Sequence, residues 1–344
     1  MRQVTDTRSG MLKEIASRSG VSVSTVGHIL GNKAHMHSVA TCKNVINIAR
    51  ELGYRPNSSA IAIGSGRFYC VTLLLSSESV RSRVSIRLLS GICDTLDSLN
   101  YHLNLARMTD ERLEKEASLP KFMSQWMTDG VLVNYTDGIP SWLIEKIKSD
   151  QAPAIWINSR QEANCVHADD EQGGYEATKQ LICLGHRQIL YAVQDSAHYS
   201  ALDRYVGYRR AMEEAGLRWR LENRSVEIEG WSVLAQEWLR EKNRPTAILA
   251  YGDFPLCPIA LGATNAGLRI PEDLSLVCFT GEPLIDYTTG MKFSTWLVPE
   301  YEVGRASVEV LMQKIDCKEE MLGPLAVPFT EFTSDTTAPP PSQT

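Results

Sequence analysis

Apolar residues recur at helical spacing in three short blocks near the N-terminus. The first is Leu12, Ile15 and Ala16, the second Val26, Ile29 and Leu30, and the third Val45, Ile48, Ala49 and Leu52. The third block ends at Gly53, a residue that stops a helix well. Between the first two lies Ser19-Gly20-Val21-Ser22, where Gly20 permits a sharp turn and Ser22 can cap the next helix. Ser38 can cap the third helix in the same way. Helices this short are not stable alone, so they must pack on one another. The pattern predicts a helix, a tight turn and a second helix, supported by a third.

From Phe68 onward the pattern changes to short β-branched runs separated by helical stretches. Candidate strands are Cys70–Leu75, Tyr101–Ala106, Gly130–Asn134, Pro153–Asn158, Gln188–Val193, Thr246–Tyr251 and Leu274–Phe279. This alternation predicts parallel sheets covered by helices on both faces. Such sheets bind ligands at the carboxyl ends of their strands, and two lobes leave a cleft between them.

Charge separates the two regions. Net charge is −6 overall, yet residues 1–67 hold nine Lys/Arg against three acids, a local +6. The remainder carries −12. A small basic unit on a large acidic one is the layout of a DNA-binding head on a separate body. Packing the second helix through Val26, Ile29 and Leu30 points Val23, Ser24, Thr25 and His28 outward, near the helix N-terminus, where a recognition helix meets base edges and phosphates.

The segment MLKEIASRSGVSVSTVGHILGNKA resembles the headpiece of the lactose/galactose-repressor (LacI/GalR) family, which typically reads TLKDVAxxAGVSxxTVSRVLNxxx. Ser38 through ARELGYRPN and the following SSAIAIGSGR also match. The resemblance implies DNA contacts from Val23, Ser24, Thr25, His28, Asn32, Tyr54 and Asn57. It also implies a hinge segment over 57–67, where Ala60 falls at the touching point of paired hinge helices and Ile63 at the position that wedges between bases. That Ser/Gly-rich hinge cannot bury a core, so it is expected to order only on DNA. Gly27 and His28 stand where the family often has Ser-Arg, Gly31 replaces Asn, and Ile61 replaces a frequent basic residue. His28 donates one hydrogen bond where Arg donates two, so a different half-site is expected.

The body continues the resemblance through VHADDEQGGYEATKQLICLGHRQILYAV, RYVGYRRAMEEAGL, PTAILAYGDFPLCPIALGATNAGLRIPEDLSLVCF and the terminal TTAPP. The implied fold is an all-α helix-turn-helix headpiece followed by an α/β periplasmic-binding-protein-like effector domain of two lobes. The implied division is a flexible tail at 1–10, the helix-turn-helix domain at 11–56, the hinge, a ligand-binding and dimerisation domain at 68–332 and a Pro-rich tail at 333–344. Implied ligand residues are Arg204, Trp231, Asp253, Thr280 and Ser76. Arg204 matches an arginine that commonly holds a sugar hydroxyl or a carboxylate, and Trp231 falls where an aromatic often stacks on ligand. A structural ion-pair role for Arg204 and a core role for Trp231 are the alternatives. Gly252, Thr280, Gly281 and Val298 replace an Asn, two Asp and a Gln of the family pattern, and the loop SSESVRSRVS lacks its Asn-Pro-Phe. These changes argue against a familiar hexose without arguing against a ligand.

The eight cysteines form no CxxC, most sit in apolar runs, and the seven histidines show no metal-ligand spacing. Free thiols in a reducing cytoplasm are expected, with no metal and no cofactor. Gly173-Gly174 lacks a following Walker lysine and reads as a helix start rather than a phosphate loop. No nucleophile elbow or paired-carboxylate site marks an enzyme. No apolar run approaches a membrane span, and the polar N-terminus lacks an export signal. The terminal segment has no leucine heptads, so a homodimer is expected rather than a coiled-coil tetramer. The reading is a cytoplasmic, homodimeric, sequence-specific DNA-binding regulator, a repressor on palindromic operator DNA, with affinity set by a small polar effector such as a sugar. The alternatives are a solute-binding receptor without DNA function and a regulator that binds DNA independently of ligand.

Overall fold

The computed structural model describes residues 3–31, 34–54, 66–78, 81–109, 127–136, 138–194, 198–224, 228–287, 289–317, 322–332 and 335–342, with the backbone alone for 3–9 and 228–229. Two compact units result, one reaching Val71 and including 121–129, the other holding 72–120 and everything from Gly130 on.

In the first unit, α1 (Gln3–Ser19), α2 (Val23–Leu30) and α3 (Val39–Glu51) enclose a core of Ile15, Ala16, Val26, Ile29, Val45 and Ala49. The predicted turn is present: Gly20 has φ +70, and Ser22 Oγ accepts the Thr25 N–H at 3.0 Å. Ser38 Oγ accepts the Thr41 N–H at 3.1 Å. Gly53 (φ +66) ends α3, and the Tyr54 N–H returns to the Ala49 carbonyl at 2.9 Å. The first helix begins at Gln3, so the segment expected as a flexible tail is helical instead. No proline interrupts it, and Gly10 costs a helix only about 1 kcal/mol.

The second unit holds two six-stranded sheets. In lobe 1 the strands are β1 (Cys70–Ser76), β2 (His102–Met108), β3 (Gly130–Asn134), β4 (Ala154–Ile157), β5 (Cys165–Ala168) and β11 (Leu325–Val327), in the order β11-β5-β4-β3-β1-β2. Helices α4 (Ile86–Ser98), α5 (Ser141–Ser149) and α10 (Glu300–Cys317) accompany them. In lobe 2 the strands are β6 (Ile189–Gln194), β7 (Arg220–Arg224), β8 (Ala247–Ala250), β9 (Ser275–Thr280), β10 (Ser294–Leu297) and β12 (Thr330–Phe332), in the order β12-β10-β9-β8-β6-β7. Its helices are α6 (Asp170–Cys183), α7 (Tyr199–Glu214), α8 (Ile228–Leu239) and α9 (Asp253–Asn265). Pairing in the lobe 2 sheet is parallel except for β10 with β12. The chain passes between lobes after β5, after β10 and between β11 and β12.

All seven predicted strands occur. Five of the described strands go unpredicted: β7 reads RLENR and shows no apolar run, β5 and β10 are only four residues each, and β11 and β12 only three. The C-terminal segment is not a free tail. Thr336 is fully buried, with its Oγ1 donating to the Leu276 carbonyl at 2.8 Å and accepting the Ser294 N–H at 2.8 Å. The Ala338 carbonyl faces His186 Nε2 at 2.9 Å and Ser275 Oγ at 3.0 Å. Burial lowers the His186 pKa, so the neutral ring matches this buried position. The segment is polar and Pro-rich in sequence, yet it hydrogen-bonds to the beginnings of the inner strands β9 and β10 and to His186.

Both lobes use glycine to bring helices together. In lobe 2 a Cβ at Gly174 would lie 2.1 Å from the Arg204 carbonyl oxygen, and one at Gly207 1.9 Å from that of Glu171. In lobe 1 the same holds for Gly91 against Tyr301 (2.1 Å) and Gly304 against Leu88 (2.3 Å). Gly207→Ala should therefore destabilise the body by about 1–3 kcal/mol, the usual cost of overpacking. Urea unfolding followed by circular dichroism checks this, and a change under about 0.5 kcal/mol would contradict the packing described.

Candidate nucleic-acid interface and ligand cleft

On the head, capping by Ser22 fixes where α2 begins, and burial of Val26 and Ile29 fixes its rotation. Val23 is 43% exposed and Ser24 is exposed, while Thr25 and His28 are half-buried. Thr25 Oγ1 lies 2.9 Å from Ser22 Oγ. Val23, Ser24 and Thr25 stand at the start of the helix, whereas His28, expected near the N-terminus, lies in its last turn. Tyr54 packs partly against the head core rather than standing clear of it. Asn32, Asn57, Ala60 and Ile63 lie outside the described residues. Across the head, Arg18 pairs with Glu14 at 3.3 Å and reaches Glu51 at 3.7 Å, an exposed link between α1 and α3.

In the body, Ser76, Thr280 and Asp253 lie at carboxyl ends of strands or at the helix start that follows one. Ser76 ends β1 and is buried, with its Oγ accepting the Glu78 N–H at 3.0 Å. Thr280 ends β9 and donates its hydroxyl to the Glu282 carbonyl at 2.6 Å. Asp253 is exposed in the first turn of α9, where a carboxylate suits the helix dipole. Glycine in place of the family's Asp at 281 has a visible consequence: a Cβ there would lie 2.2 Å from the Glu300 carboxylate, which occupies that space.

Trp231 is not at the cleft. It is fully buried in the lobe 2 core with Leu190, Ile248, Leu256 and Phe293, edge-on to Trp238 at 6.2 Å. On α8 its position faces the sheet, so the core alternative holds and the ligand-stacking role falls.

Arg204 is 6% exposed and engaged. Its Nε donates to Asp170 Oδ1 at 2.8 Å, and its Nη1 to the Tyr251 carbonyl at 3.1 Å. The guanidinium sits 4.8 Å from the Tyr251 ring centroid, 4.9 Å from Phe279 and 5.3 Å from Phe329. Burial alone would lower its pKa, but the Asp170 carboxylate and neighbouring tyrosines hold it above the ordinary value. The ion-pair alternative for Arg204 is therefore present in the structure. Tyr251 is itself anchored, its hydroxyl 2.7 Å from Ser200 Oγ.

A second pair joins the lobes. Arg160, after β4 in lobe 1, binds Asp203 on α7 in lobe 2 through two hydrogen bonds, one of them at 3.1 Å. Burial raises the Asp203 pKa and Arg160 opposes the shift. Beside it, burial pushes the Tyr199 hydroxyl far above its usual pKa, and His167 meets the Tyr199 ring edge-on at 6.5 Å. Sequence reasoning does not single out Asp170, Arg160 or Asp203. Asp170 stands in the DDEQGG segment, but nothing local distinguishes it from the adjacent helix-capping Asp169.

Among the described residues no group of three or more His, Cys, Asp or Glu is placed to hold a metal, and no helix is long and apolar enough to cross a membrane. All eight cysteines are free thiols. Cys70, Cys165 and Cys278 are buried, while Cys183 and Cys317, at helix ends, are exposed.

Comparison with known proteins matches residues 11–57 to the model described as "Bacterial regulatory proteins, lacI family" and 178–328 to the "Periplasmic binding protein-like domain". The HTH-type transcriptional regulator DegA of Bacillus subtilis is 30% identical over 281 residues, covering 77% of this chain and 80% of that protein. The chain belongs to the lacI family of bacterial regulatory proteins. It is a DNA-binding transcription regulator. The HTH-type transcriptional repressor PurR of Photobacterium profundum is 27% identical over 315 residues, covering 89% of this chain and 92% of that one. The Lac repressor dimer bound to operator and the anti-inducer ONPF shares the fold of this lacI-family regulator, with TM-score 0.73 at 20% identity, covering 94% and 98% of the two chains. A CelR–cellobiose complex does so with TM-score 0.60 at 20% identity, covering 94% and 99%.

Removing one member of a buried ion pair strands the other charge, at a cost of about 3–5 kcal/mol. Asp170→Ala should destabilise lobe 2 by that amount, and the Asp170→Leu/Arg204→Met double variant by clearly less. Urea denaturation of both reads this directly. Equal losses in the two would mean the pair is not the source of the cost.

Proposed function

We propose that this lacI-family regulator is a cytoplasmic homodimeric repressor that reads a palindromic operator with the exposed face of α2. Val23, Ser24, Thr25 and His28 meet base edges and phosphates, Asn32, Tyr54 and Asn57 support the docking, and the hinge inserts through Ile63 with Ala60 at the dyad. The observation that carries the reading is the α2 face itself: capped by Ser22, locked by Val26 and Ile29, and set in a head of local charge +6. A polar effector, a sugar or derivative, acts on the cleft formed by the carboxyl ends of the strands, near Ser76, Asp253 and Thr280. It can shift DNA affinity only by its different affinity for the two states of the body.

One observation favours a second reading. The Arg204 guanidinium is held by Asp170 and three aromatic rings, so an incoming hydroxyl must compete with an existing ion pair. That supports either an effector that does not use Arg204 or DNA binding independent of ligand. Thermal shift against a panel of sugars, read beside operator affinity, separates these. A stabilising sugar that alters DNA affinity supports the effector reading. A panel with no effect on either favours the ligand-independent one.

Selection of bound duplexes from a random library should yield a palindrome with a flexible central step. Specific affinity should fall on the order of 10³-fold between about 50 and about 200 mM salt. His28→Ala should relax base preference within each half-site while leaving sequence-blind affinity nearly unchanged. Recovery of only sequence-blind binding by the wild type would contradict the proposal.

A further inference from the structure

A second imidazole stands against the one on the recognition helix. His28 lies in the last turn of α2, and His37 follows a single 3₁₀ turn, Ala34–Met36. Their ring centroids are 5.8 Å apart with planes inclined by 33°. The segment holding His37 is tied down on both sides. The His37 N–H donates to the Ala34 carbonyl at 3.1 Å, and the Cys42 thiol on α3 donates to the same oxygen at 3.3 Å. Directly after it, Ser38 caps α3. The backbone at 37 is therefore fixed by α3, while its ring reaches toward α2.

His37 Nε2 is buried with no hydrogen-bond partner. A buried imidazole nitrogen left unpaired carries a free-energy cost that an apolar side chain of similar size would not. Packing of the head therefore gives no reason for an imidazole at this position. What the ring does is bound the His28 imidazole on one side. The terminal torsion of a histidine is broad, so an unsupported His28 would point its nitrogens over a wide arc. A side chain with one N–H to offer can discriminate bases only if that N–H points one way.

We infer that His37 is a positioning residue for DNA reading, holding the His28 ring in one orientation so that its outward nitrogen meets a single base position in each half-site, where a guanine edge fits a lone donor. The inference rests on α2 being the reading helix.

The test uses the full-length protein and the random-duplex selection, with His28→Ala, His37→Ala, His37→Phe and the His28→Ala/His37→Ala double variant beside the wild type. His37→Ala should lower preference on the order of 5-fold at the base position that His28→Ala affects, and leave the other positions alone. The double variant should match His28→Ala, because the two act as one unit. His37→Phe should retain the wild-type preference, since its ring bounds His28 equally well. A wild-type circular-dichroism spectrum and melting profile for each variant verifies that its head is folded. A His37→Ala profile equal to wild type, a loss spread evenly over the half-site, additive effects in the double variant, or His37→Phe behaving like His37→Ala would each overturn the inference. If His28→Ala relaxes no position at all, the reading of α2 itself fails, a result distinct from failure of His37 alone.

Discussion

The body depends on the close approach of α6 to α7. Two glycines, Gly174 and Gly207, let each helix lie against the other's carbonyl oxygens at distances no side chain would permit. That approach sets Asp170, in the first turn of α6, beside Arg204 on α7. Asp170 is also where the chain has just left lobe 1. The preceding Asp169 caps α6 through the Gln172 N–H at 3.3 Å, and its own N–H reaches the Val327 carbonyl at 2.8 Å. Two adjacent aspartates thus do different work, one holding the helix start and the other neutralising a buried cation. Without the glycine contact neither the ion pair nor the aromatic enclosure of Arg204 would assemble.

The head and the alternation of the body are legible in the sequence because both rest on local rules. Ser22, Gly20 and the Val26/Ile29 spacing act within one turn of themselves, and each does in three dimensions what its spacing predicts. The central parallel strands are continuous apolar runs for the same reason that they are buried on both faces. What escapes is non-local. Strand β7 is an edge strand of charged residues whose place is set by β6, not by its own composition. The C-terminal segment reads as a tail because its partners are more than forty residues away. Trp231 matches a family position, and only packing against Leu256 and Phe293 decides which way its ring faces.

The same limit applies to the ligand site. Arg204 stands out in the sequence, but its partner Asp170 lies 34 residues earlier, in another helix. Sequence alone leaves open whether the arginine serves a ligand or the fold, and the structure shows the ion pair of the second alternative. Between the lobes, Arg160 and Asp203 form a contact that any change in lobe separation must alter. An effector acting by linkage therefore works against specific bonds, not against a loose hinge.

The anchoring of Thr336 and Ala338 has a consequence for how the molecule is made. Residues 336–338 leave the ribosome well after the strands that they fasten. Domains fold from the N-terminus as synthesis proceeds. Lobe 2 cannot complete the hydrogen bonding of Leu276 and Ser294 until a segment more than forty residues further along the chain has emerged. A chain cut before Thr336 would keep the whole head sequence while β9 and β10 lacked these bonds, so truncation there would loosen lobe 2 and leave the head's own core unchanged.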